Sequence, residues 1–211
     1  MIRLALDDKY ASMPWEEIDA VVFDIGNVLL RFVPRELLMT MLPDRTDLHE
    51  ELMQRVFQSP YWVMMDRGSI TVDEAVEAMS AGDASIKPYV RTALTGWYDL
   101  PRIEEGINVL KLCKARGKKV YALSNYPAGG IAWIWERADF FQLFDGRVIS
   151  SSIQLTKPGR EIYDHLIEKF ALDPERTVFI DDTPGNIEGA LAAGWQGICY
   201  NREGKLTAFF R

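Results

Sequence analysis

Three polar groups stand directly after apolar, strand-like runs of the chain. They are Asp24, the pair Ser124-Asn125 and the pair Asp181-Asp182. If those runs are parallel strands of one sheet, the three groups meet at its carboxyl edge, where open α/β sheets bind their ligands. Two acidic groups without a nearby His or Cys cluster are hard oxygen ligands, which favours Mg²⁺ over zinc.

Asp24 has two interpretations from sequence. A carboxylate can attack phosphorus and form an aspartyl-phosphate, which water later hydrolyses. The attack needs a cation, hydrogen-bond donors for the phosphoryl oxygens and a fixed positive charge. Mg²⁺ suits the first task, Ser124 and the backbone N–H groups around Asn125 suit the second, and Lys157 suits the third. On its local pattern alone, Asp24 is more typical of a turn residue at the end of a strand than of a catalytic group.

The elements that must position these residues alternate between strand and helix over much of the chain. The predicted strands lie at 21–23, 119–123, 147–150, 177–180 and 197–200. The predicted helices between the later strands lie at 104–116, 131–137, 158–170 and 184–193. This alternation predicts an α/β fold with a doubly wound parallel sheet. In such a sheet all three polar groups lie at one edge.

Residues 34–97 have helical patterns and no convincing strand. We predict helices there at 34–42, 48–59, 71–80 and from Pro88 onward, the last with Val90, Leu94 and Trp97 on one face. Thr71 and Glu74 have the spacing of a capping box. We therefore predict two domains. They are an α/β core at 1–32 and 99–211 and a small all-helical cap at 33–98, inserted after the first strand.

The composition argues against nucleic acid or an anionic membrane as a partner. The formal net charge is −7 at pH 7, from 31 acidic and 24 basic residues, whereas both partners require clustered Lys and Arg. Residues 1–18 are too charged for a signal peptide or a membrane span, and we expect an extension that leads into the first core strand. Cys113 and Cys199 are expected to be reduced core residues, which predicts a cytoplasmic protein. The oligomeric state stays open.

Four segments resemble the motifs of the haloacid dehalogenase-like (HAD) superfamily, in that family's order. They are Phe23-Asp24-Ile25-Gly26-Asn27-Val28, Leu123-Ser124-Asn125, Lys157-Pro158 and Asp181-Asp182-Thr183-Pro184-Gly185-Asn186-Ile187. The resemblance covers the whole core and implies a Rossmann-like fold. The helical insertion is similar to the family's C1-type cap, a lid over the site. The resemblance implies a phosphohydrolase that uses Mg²⁺ and acts on a small phosphorylated metabolite.

The resemblance also implies catalytic roles for the matching residues. Asp24 corresponds to the nucleophile of the family, and Lys157 corresponds to the residue that stabilises charge. Ser124 corresponds to a donor to the phosphoryl group, and we expect Asn125 beside it to bind the substrate. These roles come from the family motifs, and the strand ends alone do not assign them.

The same resemblance implies a metal site at these strand ends. Asp182 corresponds to the principal metal ligand, beside Asp24. The backbone carbonyl of Gly26 corresponds to a further ligand. Asp181 or Asn186 is expected to contact the metal, either directly or through water.

The chain departs from the family at Gly26. Most phosphatases of the family have a second aspartate there, which protonates the leaving group, and a positioned acid is typically worth about 10²–10⁴-fold in rate. The Asp-x-Gly-Asn-Val form resembles a branch that contains glucose-1-phosphatase-like sugar phosphatases and the N-terminal domains of epoxide hydrolases. Either the leaving group needs little protonation, or an acid comes from the cap, where residues 66–70 are predicted to form a polar loop. We expect Asp66 and Arg67 to bind the substrate.

We therefore expect an Mg²⁺-dependent phosphatase for a small phosphomonoester, with a sugar phosphate as the expected substrate and an aspartyl-phosphate on Asp24. One alternative is a metal-free 2-haloacid dehalogenase, although that branch of the family lacks the acidic pair present at Asp181-Asp182. The other is a non-catalytic scaffold that binds phosphorylated metabolites or a protein. A loss of activity is disfavoured because the chain retains all four of Asp24, Ser124, Lys157 and Asp182.

Overall fold

The computed structural model describes residues 4–5, 15–96, 99–201 and 206–210. Within them, the core is a six-stranded parallel sheet with the spatial order β1-β6-β5-β2-β3-β4. In chain order the strands are β1 (Leu4–Ala5), β2 (Ala20–Phe23), β3 (Lys119–Ser124), β4 (Gly146–Ile149), β5 (Thr177–Asp181) and β6 (Gln196–Cys199). The predicted α/β fold and its five strands are confirmed. The edge strand β1 was not predicted, because two residues carry no periodic pattern.

Helices connect the strands and also form the insertion after β2. They are α1 (Pro34–Met41), α2 (His49–Leu52), α3 (Pro60–Arg67), α4 (Val72–Met79), α5 (Lys87–Thr95), α6 (Glu104–Ala115), α7 (Ala128–Arg137), α8 (Ser150–Ile153), α9 (Arg160–Phe170) and α10 (Pro184–Ala192). Shorter 3₁₀ segments lie at Trp15–Glu17, Thr46–Leu48, Ala84–Ile86, Asp139–Leu143, Pro174–Arg176 and Leu206–Phe210, and a π-helical turn lies at Met53–Phe57. None of the described helices combines the length and the apolar character that a membrane span requires.

Both faces of the sheet are covered by helices. The side chains of Val21 and Phe23 in β2 join a buried apolar cluster with α6 and α7. Ala20 and Val22 join a second cluster with α9 and α10. Successive residues of a strand point to opposite faces, so a strand covered on both sides is apolar throughout, and all four residues of β2 are buried. The sheet is therefore doubly wound.

The strand register brings the predicted site residues to the same edge. β2 lies between β3 and β5, with Phe23 level with Ala122 on one side and Ile180 on the other. The backbone N–H of Asp24 donates to the carbonyl of Ile180 at 2.9 Å. The residues that follow these strands therefore lie together at the carboxyl edge of the sheet.

The insertion contains a helix that was not predicted from sequence. Pro60, which directly follows the helix predicted at 48–59, begins α3, because its fixed φ and missing N–H suit the first helical turn. α3 ends at Gly68, whose φ of 76° is in the left-handed region that favours glycine. The prediction of a polar loop at 66–70 is therefore wrong at its start, since Asp66 and Arg67 form the last turn of α3.

The helices of the insertion pack around an apolar cluster of their own. It includes Leu38, Leu52, Val76 and Val90, all fully buried. The predicted capping box is confirmed, with Thr71 accepting from the backbone of Glu74 and Glu74 accepting from the backbone of Thr71. The predicted contact of Trp97 lies outside the described residues. The division into domains at 32/33 and 98/99 stays a prediction.

Two segments connect the insertion to the core and lie side by side. The N–H of Arg31 donates to the carbonyl of Pro101 at 2.8 Å, and the N–H of Ile103 donates to the carbonyl of Leu29 at the same distance. Just beyond them, Gly106 in α6 approaches the backbone of Val28 so closely that a Cβ at position 106 would lie 2.0 Å from the Val28 carbonyl oxygen. The loop after β2 thus rests directly on α6.

Candidate active site

A cavity of about 340 Å³ lies over the carboxyl edge of the sheet, where the core meets the insertion. From the core it is lined by Asp24, Ser124, Lys157 and Asp182, and from α3 it is lined by Trp62 and Asp66. The structure therefore brings together the predicted nucleophile, the charge stabiliser and the principal metal ligand in one cavity.

Lys157 connects two aspartates beneath the cavity. Its Nζ lies 2.6 Å from Oδ2 of Asp181 and 2.9 Å from Oδ1 of Asp24. The side chains of Lys157 and Asp181 are 2% and 0% exposed, so this is a buried ion-pair triad. Burial alone would lower the pKa of Lys157, but the charges of Asp181 and Asp24 outweigh it and raise the pKa above its ordinary value. Lys157 therefore stays charged.

The ion pair with Lys157 leaves the Asp24 carboxylate with few partners. Oδ1 of Asp24 pairs with the Lys157 ammonium, and no other hydrogen-bond donor among the described residues reaches it. Burial, reinforced by the charge of Asp181 and opposed by Lys157, raises the pKa of Asp24 to about 7. A buried carboxylate with a single ammonium as partner can still receive a cation or an electrophile.

Asp181, by contrast, has hydrogen-bond partners on both oxygens. Oδ1 accepts from the backbone N–H of Thr183 at 2.8 Å, and the side-chain amide of Asn186 donates to both oxygens at 3.0 Å. Oδ2 also accepts from Lys157. These contacts hold Lys157 and Asn186 in place at the edge of the site.

Oxygen atoms of Asp24, Asp181 and Asp182 all lie within 4.8 Å of one another. Burial and the charge of Asp181 raise the pKa of Asp182, which indicates that this cluster carries uncompensated negative charge. An all-oxygen donor set of this charge, in which Asp24 has only Lys157 as a partner, fits Mg²⁺. Gly26 and Asn186 also line the cavity.

The predicted substrate contacts Ser124 and Asn125 both line the cavity, but they differ in what their side chains do. Ser124 is the buried last residue of β3. The Asn125 amide donates to the carbonyl of Lys157 at 3.0 Å, and its Oδ1 accepts from the N–H of Lys157 at 2.9 Å. The Asn125 side chain therefore positions the loop that carries Lys157.

The two predicted cap residues, Asp66 and Arg67, have different locations in the structure. Asp66 lines the cavity, and the indole of Trp62 hydrogen-bonds to its side chain from one helical turn earlier. Arg67 is exposed and does not line the cavity. Its Nε donates to the carbonyl of Gln154 at 2.9 Å. The structure therefore does not bring Arg67 into the site.

Asn27 is a residue of the site that was not predicted from sequence, although it lies inside the first motif. It has a positive φ of 54°, which Asn tolerates better than most residues. Its Oδ1 accepts from the N–H of Phe32 at 3.0 Å, and its side chain also hydrogen-bonds to Asp182. Asn27 thus connects the loop after β2 to the carboxylate cluster.

The outer part of the cavity is lined by aromatic and apolar side chains. Phe32 and Trp62 stack with ring centroids 5.7 Å apart, and Phe57 packs against Trp62 at 5.0 Å. Leu100 and Tyr126 complete this wall. The wall was not predicted, because its members come from separate parts of the sequence and share no motif.

The chain is similar in sequence to two curated phosphatases. The sesquiterpene phosphatase astK of Aspergillus oryzae is 24% identical over 180 residues, which cover 85% of this chain and 88% of that protein. The phosphorylated carbohydrates phosphatase of Thermotoga maritima is 25% identical over 194 residues, which cover 86% of this chain and 84% of that protein.

The fold is also similar to that of solved structures. One is a HAD family enzyme from Bacteroides thetaiotaomicron in complex with magnesium and inorganic phosphate, with a TM-score of 0.68 and 22% identity over 85% of this chain and 92% of that one. A family model described as haloacid dehalogenase-like hydrolase matches residues 18–194, which include all four motifs. The chain therefore belongs to the haloacid dehalogenase-like hydrolases.

Proposed function

We propose that the protein is an Mg²⁺-dependent phosphomonoesterase that works through an aspartyl-phosphate on Asp24. The observation that carries this proposal is the cluster of Asp24, Asp181 and Asp182 within 4.8 Å, with the buried ammonium of Lys157 beside it. The phosphatase relatives and the magnesium and phosphate complex of the Bacteroides enzyme support it.

Each residue of the site has a task in this reaction. Asp24, Asp182 and the Gly26 carbonyl would hold Mg²⁺, which would supply positive charge for the phosphoryl oxygens. Asp24 attacks phosphorus in line with the leaving oxygen, and the P–O bond to that oxygen breaks. Lys157 and Ser124 stabilise the phosphoryl charge. Water then attacks the phosphorus of the aspartyl-phosphate, which releases phosphate and restores Asp24.

Asp181 and Asn186 have a supporting role in this proposal. The four hydrogen bonds to Asp181 fix the carboxylate that holds Lys157. A charged group whose geometry is set in advance needs no rearrangement as charge develops in the transition state. Asp181 therefore acts on the reaction through the position of Lys157.

The leaving group belongs to one of two substrate classes. A sugar phosphate was predicted from sequence, and the name of the Thermotoga relative supports it. The monophosphate of an apolar alcohol is the second candidate, because Phe32, Trp62 and Leu100 give the outer cavity an apolar wall. The name of the Aspergillus relative supports this second class. A cytoplasmic location and a small phosphorylated metabolite as partner stay predictions.

The metal-free dehalogenase has less support from the site. Asp182 has no task in an attack on carbon, whereas it completes an oxygen-rich cation site here. The non-catalytic scaffold is a second alternative, and it predicts ligand binding without turnover. Both alternatives predict no release of phosphate.

Phosphate release from a substrate panel tests the proposal. The panel contains glucose 1-phosphate, glucose 6-phosphate, farnesyl phosphate, n-hexyl phosphate and 4-nitrophenyl phosphate, each with Mg²⁺ or with EDTA. We expect turnover that requires Mg²⁺ and falls at least about 10³-fold in Asp24→Asn. Asp164→Asn, which changes an exposed carboxylate of α9, is the control. Turnover that EDTA leaves unchanged would contradict the proposal.

A further inference from the structure

The absence of an acid at position 26 does not come from lack of space. A Cβ built on Gly26 meets no atom within 4 Å, and the backbone there is outside the left-handed region. A side chain at this position would therefore start without a clash and without backbone strain. Because Gly26 lines the cavity, steric crowding does not explain why the acid is missing there.

Asp66 is a carboxyl group that lines the cavity from α3 of the helical insertion. The other charged side chains that line the cavity are Asp24, Lys157 and Asp182, and all three belong to the core. The core residues account for the metal, the nucleophile and the phosphoryl charge. Asp66 lies on α3, beside the apolar wall that would surround a leaving group.

Contacts on both sides hold Asp66 in place. The Trp62 indole hydrogen-bonds to its carboxyl group from within α3. The backbone carbonyl of Asp66 accepts a hydrogen bond from the hydroxyl of Ser150, at the start of α8 in the core. One turn of α3 is thus fixed against the core, with its carboxyl group in the cavity.

We propose that Asp66 is the general acid of the reaction, which protonates the leaving oxygen from the cap side in place of the aspartate missing at Gly26. This inference rests on the proposed phosphatase function. As the bond between Asp24 and phosphorus forms and the ester P–O bond breaks, the proton of Asp66 passes to the leaving oxygen and an alcohol departs. In the second step the attacking water gives a proton to Asp66 and its hydroxyl to phosphorus. Hydrogen phosphate leaves, and both aspartates return to their starting states.

The environment of Asp66 suits a group that gives and takes a proton near neutral pH. Burial and the negative charge of Asp24 raise the pKa of Asp66 to about 7, although Lys157 and the Trp62 hydrogen bond oppose the rise. The same hydrogen bond orients the carboxyl group. Asp66 directly precedes the exposed Arg67, and the two residues were predicted together to bind the substrate.

Leaving groups that differ in their need for a proton test the proposal. n-Hexyl phosphate releases an alkoxide that must be protonated, whereas 4-nitrophenyl phosphate releases a stable phenolate. In Asp66→Asn we expect kcat to fall about 10²-fold or more with n-hexyl phosphate and less than about tenfold with 4-nitrophenyl phosphate. Asp73→Asn, an exposed aspartate of α4 in the insertion, is expected to match the wild type with both.

Restoring an acid on the core side gives an independent check. Because position 26 is open, Gly26→Asp combined with Asp66→Asn should recover at least about tenfold of the lost n-hexyl phosphate turnover. Equal losses on both substrates in Asp66→Asn, or no recovery in the double variant, would overturn the acid role. A wild type that cleaves only 4-nitrophenyl phosphate would also overturn it. A wild type that cleaves neither ester refutes the phosphatase function itself, so the two failures are distinguishable.

Discussion

The hydroxyl of Ser150 donates to the backbone carbonyl of Asp66 and accepts, at 3.0 Å, from the backbone N–H of Tyr126. Ser150 is fully buried and begins α8, which follows β4 of the core. Tyr126 follows β3 and lines the cavity. One hydroxyl therefore joins the helix that carries Asp66 to the strand end that carries Ser124.

Removal of this hydroxyl is expected to destabilise the protein. Ser150→Ala leaves the Tyr126 N–H and the Asp66 carbonyl without this partner, and each such loss typically costs about 1–3 kcal/mol. Because two groups lose their partner, urea unfolding should show a drop of about 2–6 kcal/mol in the free energy of unfolding. Ser151→Ala is the matched control, because the buried Ser151 hydroxyl has no hydrogen-bond partner among the described residues. Equal losses in the two variants would contradict this role of Ser150.

Lys157→Met is expected to be strongly destabilising. It removes the cation between Asp24 and Asp181 and leaves two buried carboxylates without it, and breaking a buried ion pair in this way typically costs about 3–5 kcal/mol. Lys87→Met, which breaks an exposed ion pair with Glu77, should cost no more than about 1 kcal/mol. Urea unfolding of both variants measures the difference, and comparable losses would refute the account of the triad.

Mg²⁺ is expected to stabilise the folded protein. A cation relieves the repulsion among the clustered carboxylates, and a ligand at 100 times its Kd adds about 2.7 kcal/mol to the free energy of unfolding. For a chain of this length, this corresponds to a rise in Tm of about 5–10 °C. Asp182→Asn should lose most of the rise, whereas Asp139→Asn, with an exposed carboxylate, should keep it. A rise that persists in Asp182→Asn would argue against the proposed ligand.

The pH dependence of stability should reveal the titration of Asp66. Its pKa is about 7 in the folded state, against 3.8 as the ordinary value. The protonated carboxyl therefore favours the folded state at low pH, and this contribution is lost as the pH rises through 7. The stability of the wild type relative to Asp66→Asn, measured by urea unfolding in EDTA, should fall by about 3 kcal/mol between pH 5 and pH 8. A stability difference between the two proteins that does not change with pH would refute the raised pKa of Asp66.

The sequence was sufficient to predict five strands of the sheet and the polar residues that end three of them. The strands that carry Asp24 and Asp181 are buried on both faces, so they are continuous apolar runs that end at a carboxylate. Parallel order then brings these ends together without knowledge of the loops. β1 could not be predicted, because Leu4–Ala5 is defined only by its pairing with β6.

The insertion was harder to predict, and the reason is local. Pro60 is compatible with the end of one helix and with the first turn of the next, so its type alone does not reveal α3. Once Asp66 and Arg67 belong to a helix, they point in different directions, as adjacent helical residues do. Only the packing of α3 against the core shows that Asp66 enters the cavity and Arg67 does not.

Gly106 is a position away from the functional residues at which a substitution would disturb the site. It lies outside the cavity, yet the backbone of α6 supports the loop of Asp24 through the contact with Val28. Even an alanine there must displace this loop, because its Cβ would meet backbone atoms and not a flexible side chain. A side chain at position 106 would therefore disturb the site while all four motifs stayed intact. Matching the motifs alone would not detect such a change.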